Sequence, residues 1–107
     1  KSGRRESNAR PSGSICDALL SPQPGEMTLA VNRPRVGEGL VVTDAEAAEA
    51  MRFAFEVLKV VVEPGGAVGL AAVLTGKIAT AGRTIGVMLS GGNADAELFA
   101  RVLRREL

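Results

Sequence analysis

Near the end of the chain the segment TIGVMLSGGN, residues 84–93, takes an apolar run into a hydroxyl, two residues without side chains, and an amide. A glycine-rich turn between a strand and a helix serves one of two purposes. Its free backbone amides and the following helix dipole cradle an anion, or it is simply a tight turn. Neither GxGxxG nor GxxxxGK[ST] is present, so nothing marks a dinucleotide or nucleoside triphosphate site. Ser90 itself is the more specific feature. Ligands of open α/β sheets sit beyond the carboxyl ends of strands, and Gly91 and Gly92 beside that hydroxyl admit something bulky.

Two carboxylates come next. Glu63 precedes Pro-Gly-Gly-Ala, as either a solvated acid before a helix N-terminus or a partly buried acid at a site. Asp17, within SICDAL, is either a first-turn helix residue or a site residue. Cys16 has apolar neighbours and no histidine to activate it, because the chain contains none; it reads as a packed thiol. Met27, Met51 and Met88 read as core fillers.

The elements that position these residues follow from local pattern. Residues 14–20 form a short helix capped by Ser14, ended by a turn around Pro22, Pro24 and Gly25. Residues 27–31 are compatible with helix or extended chain. Residues 39–42 are a short buried strand. Thr43 and Glu46 then make a capping box, opening an amphipathic helix whose stripe is Ala47, Met51, Ala54, Phe55 and Leu58. Residues 59–63 either extend that helix or form a strand. Pro64 suits the first position of another helix, apolar nearly all round over 66–74 and stopped by Gly76. Residues 84–89 read as a strand covered on both faces of a parallel sheet. Asn93 caps the last helix, with Asp95 and Glu97 in its first turn and Arg101, Arg104 and Arg105 in its last. This order predicts an α/β fold with an open, mostly parallel sheet flanked by helices.

Composition narrows the partners. Hydrophobic residues make up 46% of the 107, enough for a packed core. Thirteen Lys and Arg face twelve Asp and Glu, so no field draws the chain to nucleic acid or an anionic membrane. Three Phe with no Trp or Tyr leave little to stack on bases. No apolar run is long enough for a membrane span, and a single cysteine fits a reducing, cytoplasmic setting. The polar opening, residues 1–13, reads as a loop continuing from an upstream part, and 14–107 as the folded portion.

Three stretches in order, SICDAL, KVVVEPGGAVGLAAVLTGK and VMLSGGN, resemble the C-terminal part of fold-type-II pyridoxal-phosphate-dependent enzymes. The likeness is to their threonine/serine dehydratases (ammonia-lyases) and serine racemases. The family pattern runs T-I-A-D-G, then K-hydrophobic-V-E-P-x-G-A-x-x-L-A-A, then L-S-G-G-N. This chain departs from it at Ser14, Cys16 and Ala18, and carries Gly65-Gly66 where Ala or Thr with Gly or Ala is frequent.

The resemblance implies a role for each candidate. The serine matching Ser90 shares a hydrogen bond with the pyridine nitrogen of pyridoxal 5'-phosphate; Gly91 and Gly92 shape the ring's slot. Glu63 supports the site through hydrogen bonds, and Asp17 lies near the ring edge. A neutral hydroxyl does not hold the pyridine nitrogen protonated as a carboxylate would, which favours loss of a β-leaving group. The family's cofactor-binding lysine, phosphate loop and divalent-cation residues lie upstream; Lys59 and Lys77 match none of them. No catalytic or metal-binding residue is therefore expected in this chain, and no activity from it alone. The implied reaction is dehydration of a 3-hydroxy amino acid such as threonine or serine to a 2-oxo acid and ammonia. Serine racemization or 3-hydroxyaspartate dehydration on the same scaffold is the alternative, and a non-catalytic α/β assembly module is the alternative of another class. Partners implied are the amino-acid substrate, the rest of the enzyme and further copies of it. Only one helix follows SGGN, so no appended regulatory domain is expected.

Overall fold

A computed structural model describes residues 2, 4–9 and 13–107. Its frame is helical. Helix α1 is Glu26–Asn32, α2 Asp44–Phe53, α3 Pro64–Leu74 and α4 Ala96–Arg104, with a 3-10 turn at Asp17–Leu19 and a π-helical turn at Ala54–Leu58 extending α2. The capping box of α2 forms as its sequence requires: the Glu46 amide donates to Thr43 Oγ1 at 3.2 Å, and the Thr43 amide to Glu46 Oε2 at 2.6 Å. Pro64 occupies the first turn of α3, where its missing N–H costs nothing. Beyond Thr75, Gly76 adopts φ +69°, the left-handed conformation that ends such a helix without a Cβ penalty.

The core lies where α2 packs on α3 and α4. Met51, Val62 and Val102 are its largest fully buried side chains. Small residues surround them: Ala47, Ala50, Ala54, Ala67 and Ala71 are completely buried. Small side chains bring helix surfaces close, so dispersion contacts accumulate over many atoms. The helices also carry ion pairs. Lys77 Nζ lies 2.8 Å from Glu46 Oε1, tying the segment after α3 to the start of α2. Arg52 is 4% exposed; its Nη1 donates to the Val102 carbonyl at 3.1 Å, and its Nη2 pairs with Glu49.

Several sequence expectations are corrected. Among the described residues no strand forms: 39–42 and 84–89 are neither helix nor paired strand. A strand is held by a neighbour's ladder, and among the described residues none runs along these segments; the Glu63 amide donates to the Gly91 carbonyl at 2.9 Å just beyond 84–89. The helices of the expected α/β layer are therefore present, while its sheet does not form among the described residues. Residues 59–63 do not continue α2; Lys59, at φ 61°, ends it. Phe55 and Leu58 leave the buried stripe, because the wider π turn rotates them outward, although Phe55 still meets Phe99 edge-to-face at 5.5 Å. Met27 and Met88 are about four-fifths exposed, unlike Met51. Asp95, not Asn93, caps α4, accepting from the Leu98 amide at 2.8 Å. Ser14 caps nothing; Cys16 precedes the 3-10 turn.

Candidate functional site

Two turns distant in sequence meet at the N-terminus of α3. One is Glu63-Pro64-Gly65-Gly66, the other Ser90-Gly91-Gly92. Their backbones touch through the Glu63–Gly91 hydrogen bond and also through absent side chains. A Cβ built on Gly66 would stand 3.0 Å from the amide nitrogen and carbonyl oxygen of Gly91. One built on Gly91 would stand 2.7 Å from the Glu63 carboxyl carbon, and one on Gly92 3.1 Å from the Val61 carbonyl. These contacts are tighter than real Cβ atoms ordinarily make, so the glycines interlock the two turns. The Gly91 position is required first by Glu63, whose half-buried carboxylate lies against it.

The interlock separates the candidates into two openings. Glu63 and Asp17 line one cavity of about 350 Å³ together with Asn93 and Asp95. Ser90, Gly91 and Gly92 line another, of about 330 Å³, walled by Val60, Val61 and Leu89. Ser90 also borders a third, apolar opening of about 370 Å³ beside Gly65, Gly66 and Val87. The structure thus brings Asp17 to Glu63 and Ser90 to its glycines, with Gly91 as the wall between the two groups. Sequence reasoning assigns Asn93 and Asp95 only to a helix terminus; the asparagine of SGGN is the available signal that the motif extends to the cavity.

The geometry fits the ring end of pyridoxal phosphate, the cofactor implied by the resemblance. The Ser90 side chain is exposed and makes no hydrogen bond among the described residues. Its hydroxyl is available to a ring nitrogen, while Gly91 and Gly92 present backbone alone. Cys16 is buried, and that burial pushes its thiol up from the ordinary value, in keeping with packing rather than attack.

Comparison with known proteins identifies the family of the chain. The family model described as pyridoxal-phosphate dependent enzyme matches residues 1–91. An L-threo-3-hydroxyaspartate ammonia-lyase from Pseudomonas sp is 39% identical over 90 residues, 84% of this chain and 28% of that protein. An L-threonine ammonia-lyase from Thermotoga maritima is 36% identical, covering 87% of this chain and 23% of its own. A serine racemase from Arabidopsis thaliana is 42% identical, over 76% of this chain and 26% of its own. Among solved structures, a threonine deaminase from T.th. superposes with TM-score 0.78 at 37% identity, covering 87% of this chain and 31% of that one. The chain thus spans about a quarter of the length of the curated relatives it matches.

Proposed function

The chain belongs to the pyridoxal-phosphate dependent enzymes of fold type II, and on that premise we propose that it forms part of an ammonia-lyase dehydrating a 3-hydroxy amino acid such as threonine or serine. The observation that carries the proposal is the exposed Ser90 hydroxyl set on the interlocked glycine turn. Pyridoxal phosphate, when bound, supplies the electron sink that labilises bonds at the amino acid's α-carbon. This chain's residues act on that chemistry from the side. Ser90 would hold the ring end of the cofactor through a neutral hydroxyl, which, unlike a carboxylate, would not favour a protonated ring nitrogen. Gly91 and Gly92 keep side chains out of the ring's slot. Glu63, wedged against Gly91, fixes that slot's position, and Asp17 completes the wall of the adjoining cavity.

The test uses the full-length protein, loaded with cofactor and given L-threonine or L-serine. Release of 2-oxobutyrate or pyruvate with ammonia supports the lyase. D-serine without 2-oxo acid refutes it in favour of a racemase, a reading that the Arabidopsis thaliana relative supports. The 107 residues alone are inactive in this reading, because no lysine here matches the cofactor-binding position. Their exposed apolar residues, among them Val41, Val61 and Met88, seek cover from the rest of the enzyme or from further copies. A pyridoxal phosphate titration of the isolated chain that gave turnover would overturn this part.

A further inference from the structure

We propose that Asp44 is a positioning residue for this site, holding residues 14–19 so that Asp17 stands on the cavity it shares with Glu63. The inference rests on the reading of Asp17 as part of the site. Asp44 is the first residue of α2, yet it takes no part in capping, because Thr43 and Glu46 complete the capping box without it. Both of its carboxylate oxygens are used elsewhere. Oδ1 accepts from the Ser14 hydroxyl at 2.6 Å, and Oδ2 accepts from the Ile15 amide at 3.1 Å. Ser14 Oγ in turn accepts from the Cys16 amide at 3.0 Å. One carboxylate thus organises three consecutive residues across a sequence gap of about 30.

The next residues are the 3-10 turn that carries Asp17; Ile15 before it packs against the core, but the turn's own side chains bury little. Asp17, Ala18 and Leu19 are all exposed, with Leu19 55% exposed. Leu19 does reach the start of α3, where a Cβ on Gly65 would stand 3.2 Å from its Cγ. Cys16 is the buried anchor immediately before the turn. With so little apolar burial, the turn's position depends on directional bonds, and charge-assisted ones to a carboxylate are the strongest available. The α2 N-terminus is an apt base for them: its capping box fixes its own first turn, and α2 packs on α3 through their shared buried core. Asp44 therefore transmits the position of the helical frame to the cavity wall.

The experiment compares Asp44→Asn, Ser14→Ala and Ser14→Thr in the full-length protein. Amide exchange at Ile15 and Cys16 is followed without cofactor, and pyridoxal phosphate affinity is followed by fluorescence titration. Asparagine offers one acceptor instead of two, so Ile15 exchange rises about tenfold, the value of one charge-assisted bond. Cofactor affinity falls several-fold while the unfolding midpoint stays within a few degrees. Ser14→Ala produces the same pattern more weakly, and Ser14→Thr restores it. Unchanged Ile15 exchange and unchanged cofactor affinity in both Asp44→Asn and Ser14→Ala overturn the proposal. So does an affinity loss that tracks a falling midpoint and is not restored by Ser14→Thr. Should Asp44→Asn fail to fold, the two Ser14 variants decide the matter. Wild type that yields no 2-oxo acid defeats the ammonia-lyase reading, whereas exchange and titration still judge Asp44.

Discussion

Two methionines measure the difference between the halves of this molecule. Met51, on α2, is fully buried among alanines of α2 and α3; Met88, two residues before Ser90, is 80% exposed. Helices α2, α3 and α4 share the buried core, and side chains cap the starts of α2 and α4. The segments that carry the candidate site, 60–63 and 84–95, are anchored to that frame by buried Val62 and leave Val60, Val61, Val87 and Met88 open to solvent. Stability and function are therefore stored in different places, and substitutions should separate them.

The sharpest separation comes from Met51→Ala. Emptying a fully buried methionine site costs about 2–5 kcal/mol, so the denaturant midpoint of the full-length protein drops well below wild type. Cofactor affinity, measured where the variant is folded, stays near wild type. A large affinity loss in folded Met51→Ala would break the separation. Gly91→Ala tests the opposite half. Its Cβ cannot coexist with the Glu63 carboxylate, so that side chain is expelled and cofactor affinity falls at least tenfold, while the midpoint moves by about 1 kcal/mol or less, as for substitutions outside a packed core. A fluorescence titration paired with a melt reads both values.

How much of this was visible beforehand depends on the range of each interaction. The capping box at Thr43 and Glu46 and the first-turn Pro64 were legible because their partners lie within four residues. The family motifs were legible too, since they name Glu63, Ser90 and the glycines in order. The 84–89 strand was not, because its apolar run states a demand for covered faces and cannot state that neighbours are at hand. Arg52 was missed for a related reason. Periodicity assigns arginine to solvent, but this one lies beside buried Met51, with an acid three residues before it and a helix-end carbonyl within reach. The division of the site by Gly91 was hidden as well, since it arises only where two turns 28 positions apart collide.

Smaller effects sharpen the comparison further. Ser90→Ala removes one neutral hydrogen bond, worth about 1 kcal/mol, so cofactor affinity falls roughly fivefold with the midpoint unmoved. Ser90→Asp instead raises the ratio of racemised to deaminated serine, because a carboxylate favours a protonated ring nitrogen. An unchanged ratio in the Asp variant, with wild-type affinity in both, would make Ser90 a turn residue only. The smallest effect belongs to the frame. The Lys77 ammonium, helped by the Thr43 amide, holds the Glu46 carboxyl below its ordinary value of 4.5. Lowered in the folded state, the group stabilises the fold above the unfolded value and loses that contribution as pH falls through the folded one. Glu46→Gln should thus lower the midpoint slightly at pH 7, with the gap from wild type closing as pH falls below about 4.5. A gap that did not narrow at all as pH fell below 4.5 would show that the pair contributes nothing through charge.

The π turn at Ala54–Leu58 also bears on which insertions and deletions the chain accepts. A π turn holds more residues than the α turn it replaces, so this stretch stores spare chain length between α2 and the site. Deleting one residue from 55–58, beyond buried Ala54, lets the turn tighten into α geometry, leaving Val62 in the core and Glu63 against Gly91. Deleting one from 60–62 has no such reserve and shortens the link by about 3.3 Å, pulling either Val62 or Glu63 from its place. Length variation in this part of the chain is therefore tolerated on the helical side of Lys59 and refused on the other.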